Sequence, residues 1–283
     1  TGAFGLAWTA WWRREYFLPA RHPRLGPTER RELGALLETR PPAETGLKWS
    51  QLLRYRQTWG LVVAKTLSDA AWYFYLFWLP KYLYDARGFD IKAVGSFAWI
   101  PYAAAGIGCL GGGSFSSWLL RRRLSLNSAR KVVLGLSASV MPFILLVPQV
   151  PAAGAIALFS LAYLGQQSWS TLIMTLPADI FEKSSVGSVA GLVGFGGAMG
   201  GVLFGQLVGY LLDNGSGYGP VFGLAGSLHI LAFVVLCLII PSINPLEITR
   251  ESRRRETANP RVCGLSTGIV FAIPQFLLFI RMI

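Results

Sequence analysis

Charge is scarcest in this sequence along its longest apolar stretch. Between Val132 and Ala178 there is not one charged side chain in forty-seven residues. A single helix of that length would be about 70 Å long, more than twice the ~30 Å hydrocarbon core of a bilayer. Pro148-Gln149-Val150-Pro151 interrupts the run, so it reads as two membrane-spanning helices joined by a tight turn. Only 14% of the residues are charged and 53% are hydrophobic, whereas soluble domains carry about 25% charged residues. A water-soluble domain is excluded. Histidine and cysteine are scarce too. Two His and three Cys offer no metal-ligand spacing and no disulfide framework. Cys109, Cys237 and Cys263 lie in apolar segments and read as packing residues. There is no His-Glu-x-x-His motif and no nucleophile elbow. The sequence therefore implies no enzyme, no metal and no organic cofactor.

What is present is a series of further uncharged runs, at 93–120, 184–212 and 214–246. With a span near 59–84, the sequence predicts six membrane helices, at about 59–84, 93–120, 131–148, 152–176, 185–212 and 219–241. The basic residues sort to one side of them. Segments 13–57, 121–131, 179–183 and 247–261 hold twenty-one of the twenty-six Lys and Arg, while the opposite loops hold only Lys81, Arg87 and Lys92. By the positive-inside rule the basic side is cytoplasmic. The net charge of +12 is thus a topology signal, with the lipid bilayer and not nucleic acid as the partner.

The ends have their own character. Residues 1–12 are apolar and lead into Arg13-Arg14, which reads as the end of a truncated transmembrane helix and makes the chain a fragment. Residues 13–57 form a basic loop with Pro19, Pro23, Pro27, Pro41 and Pro42. Within it, Thr28 before Glu29-Arg30-Arg31-Glu32 has the pattern of a helix N-cap, and Leu33, Leu36 and Leu37 give an apolar face, so an amphipathic helix is expected over 28–39. A second is expected near 49–55. Residues 58–246 hold the six spans. Residues 247–283 are a basic tail followed by an uncharged stretch at 262–280 that Pro274 interrupts, expected to be dispensable.

The second and fifth spans are the glycine-rich ones, with Gly106, Gly108 and Gly111–Gly113 in one and Gly191, Gly194, Gly196, Gly197, Gly200, Gly201 and Gly205 in the other. Small residues let membrane helices approach closely. Matching features in the same place of two three-helix units suit an inverted repeat; a simple six-helix bundle with two tight contacts is the alternative.

Three places could carry chemistry. Lys65 and Asp69 lie four apart in the first span, on one helix face, and Trp72, Tyr73 and Leu76 continue roughly that face. Charge at membrane depth is costly unless paired or wet, so the stripe suits a cavity for a small organic anion. A local ion pair near the helix end is the other reading. Gln166, Gln167, Ser168, Trp169, Ser170 and Thr171 follow one another in the fourth span. They cannot all face lipid, and Trp and amide groups are what sugar-like ligands meet; polar contacts between helices are the alternative. His229 sits alone in the last span. An intramembrane His is a functional candidate, but with no acidic neighbour in its span it reads as a packing residue.

These residues also carry a resemblance. Trp72–Leu83, WYFYLFWLPKYL, preceded by Lys65 and Asp69, resembles the seventh helix of hexuronate-type transporters. These belong to the anion:cation symporter branch of the major facilitator superfamily. Gly112, Gly113 and Ser116, then Arg121, Arg122, Arg130 and Lys131, resemble that branch's cytoplasmic loop motif. The likeness continues through Gln167-Ser168-Trp169-Ser170, Leu176–Phe181 and the Val186–Gly201 glycine run. Pro19, His22-Pro23 and Glu29 are similar to the entry of the family's central loop. It covers Thr1 to Leu246.

The resemblance implies an all-α membrane protein: the six-helix C-terminal half of the major facilitator fold, a 3+3 inverted repeat, preceded by the end of the sixth helix. It implies proton-coupled import of hexuronates or related sugar-acid anions across the inner cell membrane, the proton being the coupling ion. Lys65 would contact substrate from the seventh helix and Ser168, Trp169 and Ser170 from the tenth; Asp69, Trp72, Tyr73 and Gln167 complete the candidate set. The family's first six helices, with the groups it uses for carboxylate binding and proton coupling, are absent, so an N-terminal six-helix half is an expected partner. Some relatives carry Asn where this chain has Gly194. An aromatic-acid or dicarboxylate carrier of the same branch, or a non-transporting membrane scaffold or sensor, is the alternative.

Overall fold

The structure is a computed structural model. It describes residues 2–17, 23–38, 47 and 49–246. The tail 247–283, and Pro19, His22, Pro41 and Pro42 of the basic segment, lie outside the described residues. Every regular element among the described residues is helical. The chain divides into two units, 1–45 and 46–283.

The first unit holds α1 (Gly2–Glu15) and α2 (Pro27–Glu38). Helix α1 runs past the apolar stretch and takes Arg13 and Arg14 into its last turn, where the carbonyl end of the helix dipole favours cations. Helix α2 starts at Pro27, one residue before the expected Thr28 cap. Proline suits a first helical position because its missing N–H would be unpaired there anyway. Glu29 Oε2 then reaches back to accept the Gly26 N–H at 3.1 Å, which is the returning half of a capping box.

The second unit holds α3 (Trp49–Leu52), α4 (Arg56–Arg87), α5 (Ile91–Phe97), α6 (Trp99–Arg121), α7 (Leu126–Ser139), a 3₁₀ helix (Met141–Gln149), α8 (Ala152–Ile180), α9 (Lys183–Asp213) and α10 (Tyr218–Ile239). Among the described residues, α7 with its 3₁₀ extension, α9 and α10 have both the length and the apolar composition to cross a membrane. Helices α4 and α8, of 32 and 29 residues, are long enough but carry the polar groups described below.

The expected spans differ from the observed helices where proline intervenes. The 93–120 span is two helices that break at Ala98. Pro101 has no N–H for the Phe97 carbonyl, and the Trp99 indole takes the Ser96 carbonyl at 2.9 Å. The third span ends as 3₁₀ helix from Met141, because Pro142 cannot continue the α-helical ladder. The short helix α3 covers four residues, less than the expected 49–55. Helix α4 ends on Gly88, whose φ of 66° is the left-handed conformation that glycine adopts without strain.

Helix α9 packs along α4, and α6 along α8. Helix α10 lies against α4, as α7 and the 3₁₀ helix lie against α8. Exchanging the first three spans for the last three maps this set of pairings onto itself, the arrangement an inverted repeat produces. The two tightest seams are made by glycine. A methyl group at Gly200 would overlap the Thr66 carbonyl oxygen, and one at Gly196 would stand 2.8 Å from Val62 Cγ1. On the other seam a methyl at Gly108 would overlap the Leu164 carbonyl, and one at Gly112 the Ser168 side chain. Gly113 departs from the expected pattern: a methyl there meets only Thr171 Cγ2 at 3.8 Å, an ordinary contact.

Two apolar clusters fill the bundle. One gathers Leu61, Ala64, Leu67, Val133, Leu172 and Ala232. The other gathers Ala70, Phe74, Phe159, Tyr163, Ala225 and Phe222. On α4, α8 and α10 alike, the boundary between them falls at the middle of the helix.

Overpacking a close seam costs about 1–3 kcal/mol, and more against rigid backbone. Gly200→Leu and Gly112→Leu should therefore each cut the monodisperse yield of detergent-extracted protein several-fold, with Gly113→Leu staying near wild type. Size-exclusion chromatography reads this, and a monodisperse Gly200→Leu protein at normal yield would contradict the seam.

Candidate functional site

The boundary between the two apolar clusters is polar. Lys65 Nζ lies 3.0 Å from Asp69 Oδ1 and donates to Ser170 Oγ at 2.7 Å. Gln166 Nε2 donates to the same Asp69 oxygen at 3.3 Å. His229 Nε2 is hydrogen-bonded to Gln166 Oε1. Five side chains from α4, α8 and α10 thus form one chain of contacts. Among the described residues Lys65 is the only buried lysine or arginine.

The local sequence explains why these groups meet. Lys65 and Asp69 are one helical turn apart, as are Gln166 and Ser170, so each pair shares a helix face. Where α4 and α8 cross, the two pairs match rung to rung, ammonium to hydroxyl and carboxylate to amide. A carboxylate only accepts hydrogen bonds, so the Gln166 amide must turn its NH₂ toward Asp69 and its oxygen toward His229. His229 then carries its proton on Nε2. Its Nδ1 is buried and has no partner among the described residues.

Aromatic rings flank the network. Trp72 meets Tyr163 edge-on with ring centroids 5.1 Å apart, and Tyr102 meets the same ring at 5.2 Å. Tyr163 donates its hydroxyl to the Tyr75 carbonyl at 2.9 Å. Tyr73 lies against Gly201 of α9 and is stacked on Phe77 at 5.9 Å. Both expected aromatics are half-buried, one facing α8 and the other α9.

The consecutive candidates on α8 do not share a space, because successive helical residues turn by about 100°. Ser170 faces Lys65. Ser168 accepts from Ser137 Oγ at 2.9 Å and packs over Gly112, so it joins helices. Trp169 is fully buried, with its ring 5.7 Å from His229 and 6.5 Å from Phe233. Gln167 is half-buried and stands outside the network, while its neighbour Gln166 is the hub. Reading His229 as a packing residue missed its link through Gln166 to Asp69. The four-residue spacing common to the pairs 65/69 and 166/170 was the signal that singles out Gln166.

The loop-motif residues form a second polar group. Arg130 donates to Asp179 from two nitrogens, at 2.8 and 3.3 Å, and to Ser116 Oγ at 2.9 Å. This ties α6, α7 and α8 at one end of the bundle. Lys131 donates to the Pro241 carbonyl at 2.6 Å, and Arg122 lies over the Trp118 ring at 5.2 Å. Arg121 is exposed. No group of three or more His, Cys, Asp or Glu side chains with metal-binding geometry occurs among the described residues.

An all-helical bundle with glycine seams, inverted-repeat pairing and a polar centre is what the sequence resemblance anticipates. The family model for the Major Facilitator Superfamily matches residues 1–205. The chain belongs to that superfamily. It is a multi-pass membrane protein of a transporter family, not an enzyme. The chain is 28% identical over 260 residues to the hexuronate transporter of Escherichia coli (strain K12), covering 89% of this chain and 59% of that protein. It is 32% identical over 145 residues to the galacturonate transporter of Dickeya chrysanthemi, covering 50% of this chain and 42% of that one. It is 28% identical over 264 residues to an Escherichia coli (strain K12) protein described as a probable galactarate/D-glucarate transporter, covering 87% and 57%. The chain therefore spans less than two thirds of the length of these relatives.

Leaving a buried donor or acceptor unpaired costs about 1–3 kcal/mol. Gln166→Leu strands the His229 Nε2–H and removes one donor from Asp69, so it should lower thermal stability by several degrees. Gln167→Leu should leave it nearly unchanged. Thermal unfolding of the purified variants checks the contrast, and equal effects would place the hub elsewhere.

Proposed function

We propose that α4 to α10 form the C-terminal half of a proton-coupled symporter for hexuronates or related sugar-acid anions in the inner cell membrane. They would work with an N-terminal six-helix half. The observation that carries this reading is the buried Lys65 ammonium, presented between Asp69 on its own helix and Ser170 on the facing one. A charged group at mid-depth in a membrane protein marks a substrate or ion path. The ammonium offers a partner for a carboxylate, Gln166 and Ser170 for hydroxyls, and the Trp72 and Tyr73 rings an apolar surface for a sugar's C–H faces. The hexuronate and galacturonate names of two relatives support the same substrate class. In the complete protein the site would open to one side and then the other by rocking of the halves.

The galactarate/D-glucarate name of a third relative favours a second reading, a dicarboxylate carrier of the same branch. Lys65 alone among the described cations is buried at the site, which suits one carboxylate in this half and supports the monocarboxylate reading.

Two measurements test this proposal. A charge-assisted hydrogen bond contributes about 1.5–3 kcal/mol, so Lys65→Gln in the intact protein should weaken galacturonate affinity roughly ten-fold or more. Unchanged affinity at normal expression removes Lys65 from the site, and stronger competition by glucarate than by galacturonate favours the dicarboxylate reading. The topology reading places 121–131 and 179–183 in the cytoplasm. In a background without Cys109, Cys237 and Cys263, a cysteine at position 215 should react with an impermeant reagent from outside and one at 125 should not; the reverse pattern inverts the orientation.

A further inference from the structure

We propose that a groove between α7 and α10 is a binding site for an anionic phospholipid, with its phosphate at Lys131 and one acyl chain lying along α7. The site is separate from the polar centre and does not depend on which anion is carried.

The shape of the groove is the first observation. It encloses about 590 Å³, within the roughly 300–1,000 Å³ of small-ligand sites. On α7 its wall is built by Ser128, Lys131, Val132, Leu136 and Ser139, which are three or four apart and so share one helix face. Gly135 of the same face is the floor, and Phe233 of α10 is the opposite wall. A methyl group at Gly135 would stand 3.1 Å from Phe233 Cζ, so only a glycine leaves this depth open. Val132 and Leu136 are exposed along the rim. From Lys131 to Ser139 the groove runs about 12 Å at 1.5 Å per residue. That is the depth of one leaflet of a ~30 Å hydrocarbon core, and too short to seat a second membrane-spanning helix along its length.

The second observation is the charge at its mouth. Lys131 is the last charged residue before the uncharged run that starts at Val132, which puts its ammonium at the membrane surface. Of the five basic residues in 121–131, it is the one that lines the groove. Arg130 is held by Asp179 and Ser116, and Arg122 lies over Trp118. Lys131 gives one hydrogen bond to the Pro241 carbonyl, and an ammonium has three to give. Beside it, Ser128 Oγ accepts from Ser125 Oγ at 2.9 Å and keeps its own proton to donate. The mouth is also the N-terminal end of α7, where the helix dipole favours an anion. A cation and a hydroxyl over a carbon-lined groove match the phosphate and chain of one molecule. Basic pockets between membrane helices on the cytoplasmic side take anionic headgroups, and the reading above places loop 121–131 on that side. Phe233 also stands 6.5 Å from the Trp169 ring, itself 5.7 Å from His229, so a chain packed on Phe233 supports the aromatic backing of the polar centre.

The test uses the intact protein in liposomes containing phosphatidylglycerol with a photoreactive acyl chain. Crosslinks should concentrate several-fold on 128–139 and Phe233 relative to the exposed Val202 and Leu203 of α9. Unlabelled phosphatidylglycerol should compete several-fold better than phosphatidylethanolamine. Lys131→Gln should erase that preference, Lys131→Arg should retain it, and Ser139→Trp, a substitution at an exposed position, should remove the crosslinks by filling the groove. In detergent, phosphatidylglycerol should raise the thermal midpoint of wild type in a concentration-dependent way, and inorganic phosphate at the same concentration should not. Crosslinks spread evenly over the lipid-facing helices, an unchanged preference in folded Lys131→Gln protein, or equal stabilisation by inorganic phosphate overturns the site. The crosslink map reads the groove whichever way the loops face, so its failure is separate from a failure of the topology or transport reading.

Discussion

An ammonium group withdrawn from water is costly to hold unless both its charge and its hydrogen-bonding capacity are answered. In this protein the answer to Lys65 comes from two helices at once, a carboxylate on α4 and a hydroxyl on α8. The partners sit at fixed places on rigid helices, so α4 and α8 can meet in only one register and rotation without stranding the charge. The Gln166 amide and the His229 ring extend the constraint to α10. An apolar bundle tolerates sliding because one aliphatic contact resembles the next. A centre of this kind does not.

The glycine seams serve that centre. Helix α9 lies close on α4, with Gly200 against the Thr66 backbone and Gly196, Gly197 and Gly201 against the side chains of Val62, Asp69 and Tyr73, and α6 lies on α8 through Gly108 and Gly112. Without a hydrophobic driving force between helices in lipid, such close approach is how association energy is gained. The inverted-repeat pairing places one seam behind each of the two central helices. Two of the three carriers of the polar network, α4 and α8, are thus backed by a helix whose glycines leave it no side chain to yield.

Much of this was legible in the sequence because it depends on patterns along one helix. The uncharged runs located the spans, the spacing of Lys65 and Asp69 placed them on one face, and the glycine clusters identified the close-packing helices. The misses depend on relations between helices or on backbone donors. Six consecutive polar residues on α8 declare that something polar is inside without saying which face it is, so Gln167 was chosen where Gln166 is the hub. His229 finds its partner 63 residues away, a pairing that no local pattern reveals. Gly112 and Gly113 look alike in sequence, but only Gly112 stands four residues from Gly108 on the seam. Helix ends moved where Pro101 and Pro142 withdraw an N–H from the ladder.

The close glycine contact between α9 and α4 has a consequence for how the protein responds to its lipid. Gly200 sits on the Thr66 carbonyl and Gly197 on the Asp69 carboxylate, so the depth of the ion pair is indexed to α9 by glycines, which have no side-chain rotamers of their own to adjust. A thicker or thinner bilayer is accommodated by tilt and by flanking residues at the helix ends. The centre would move with that tilt as one piece, and the distance between Lys65 and its partners would stay the same while its surroundings changed. Bilayer thickness should therefore alter how readily the bundle tilts more than how strongly its centre holds charge.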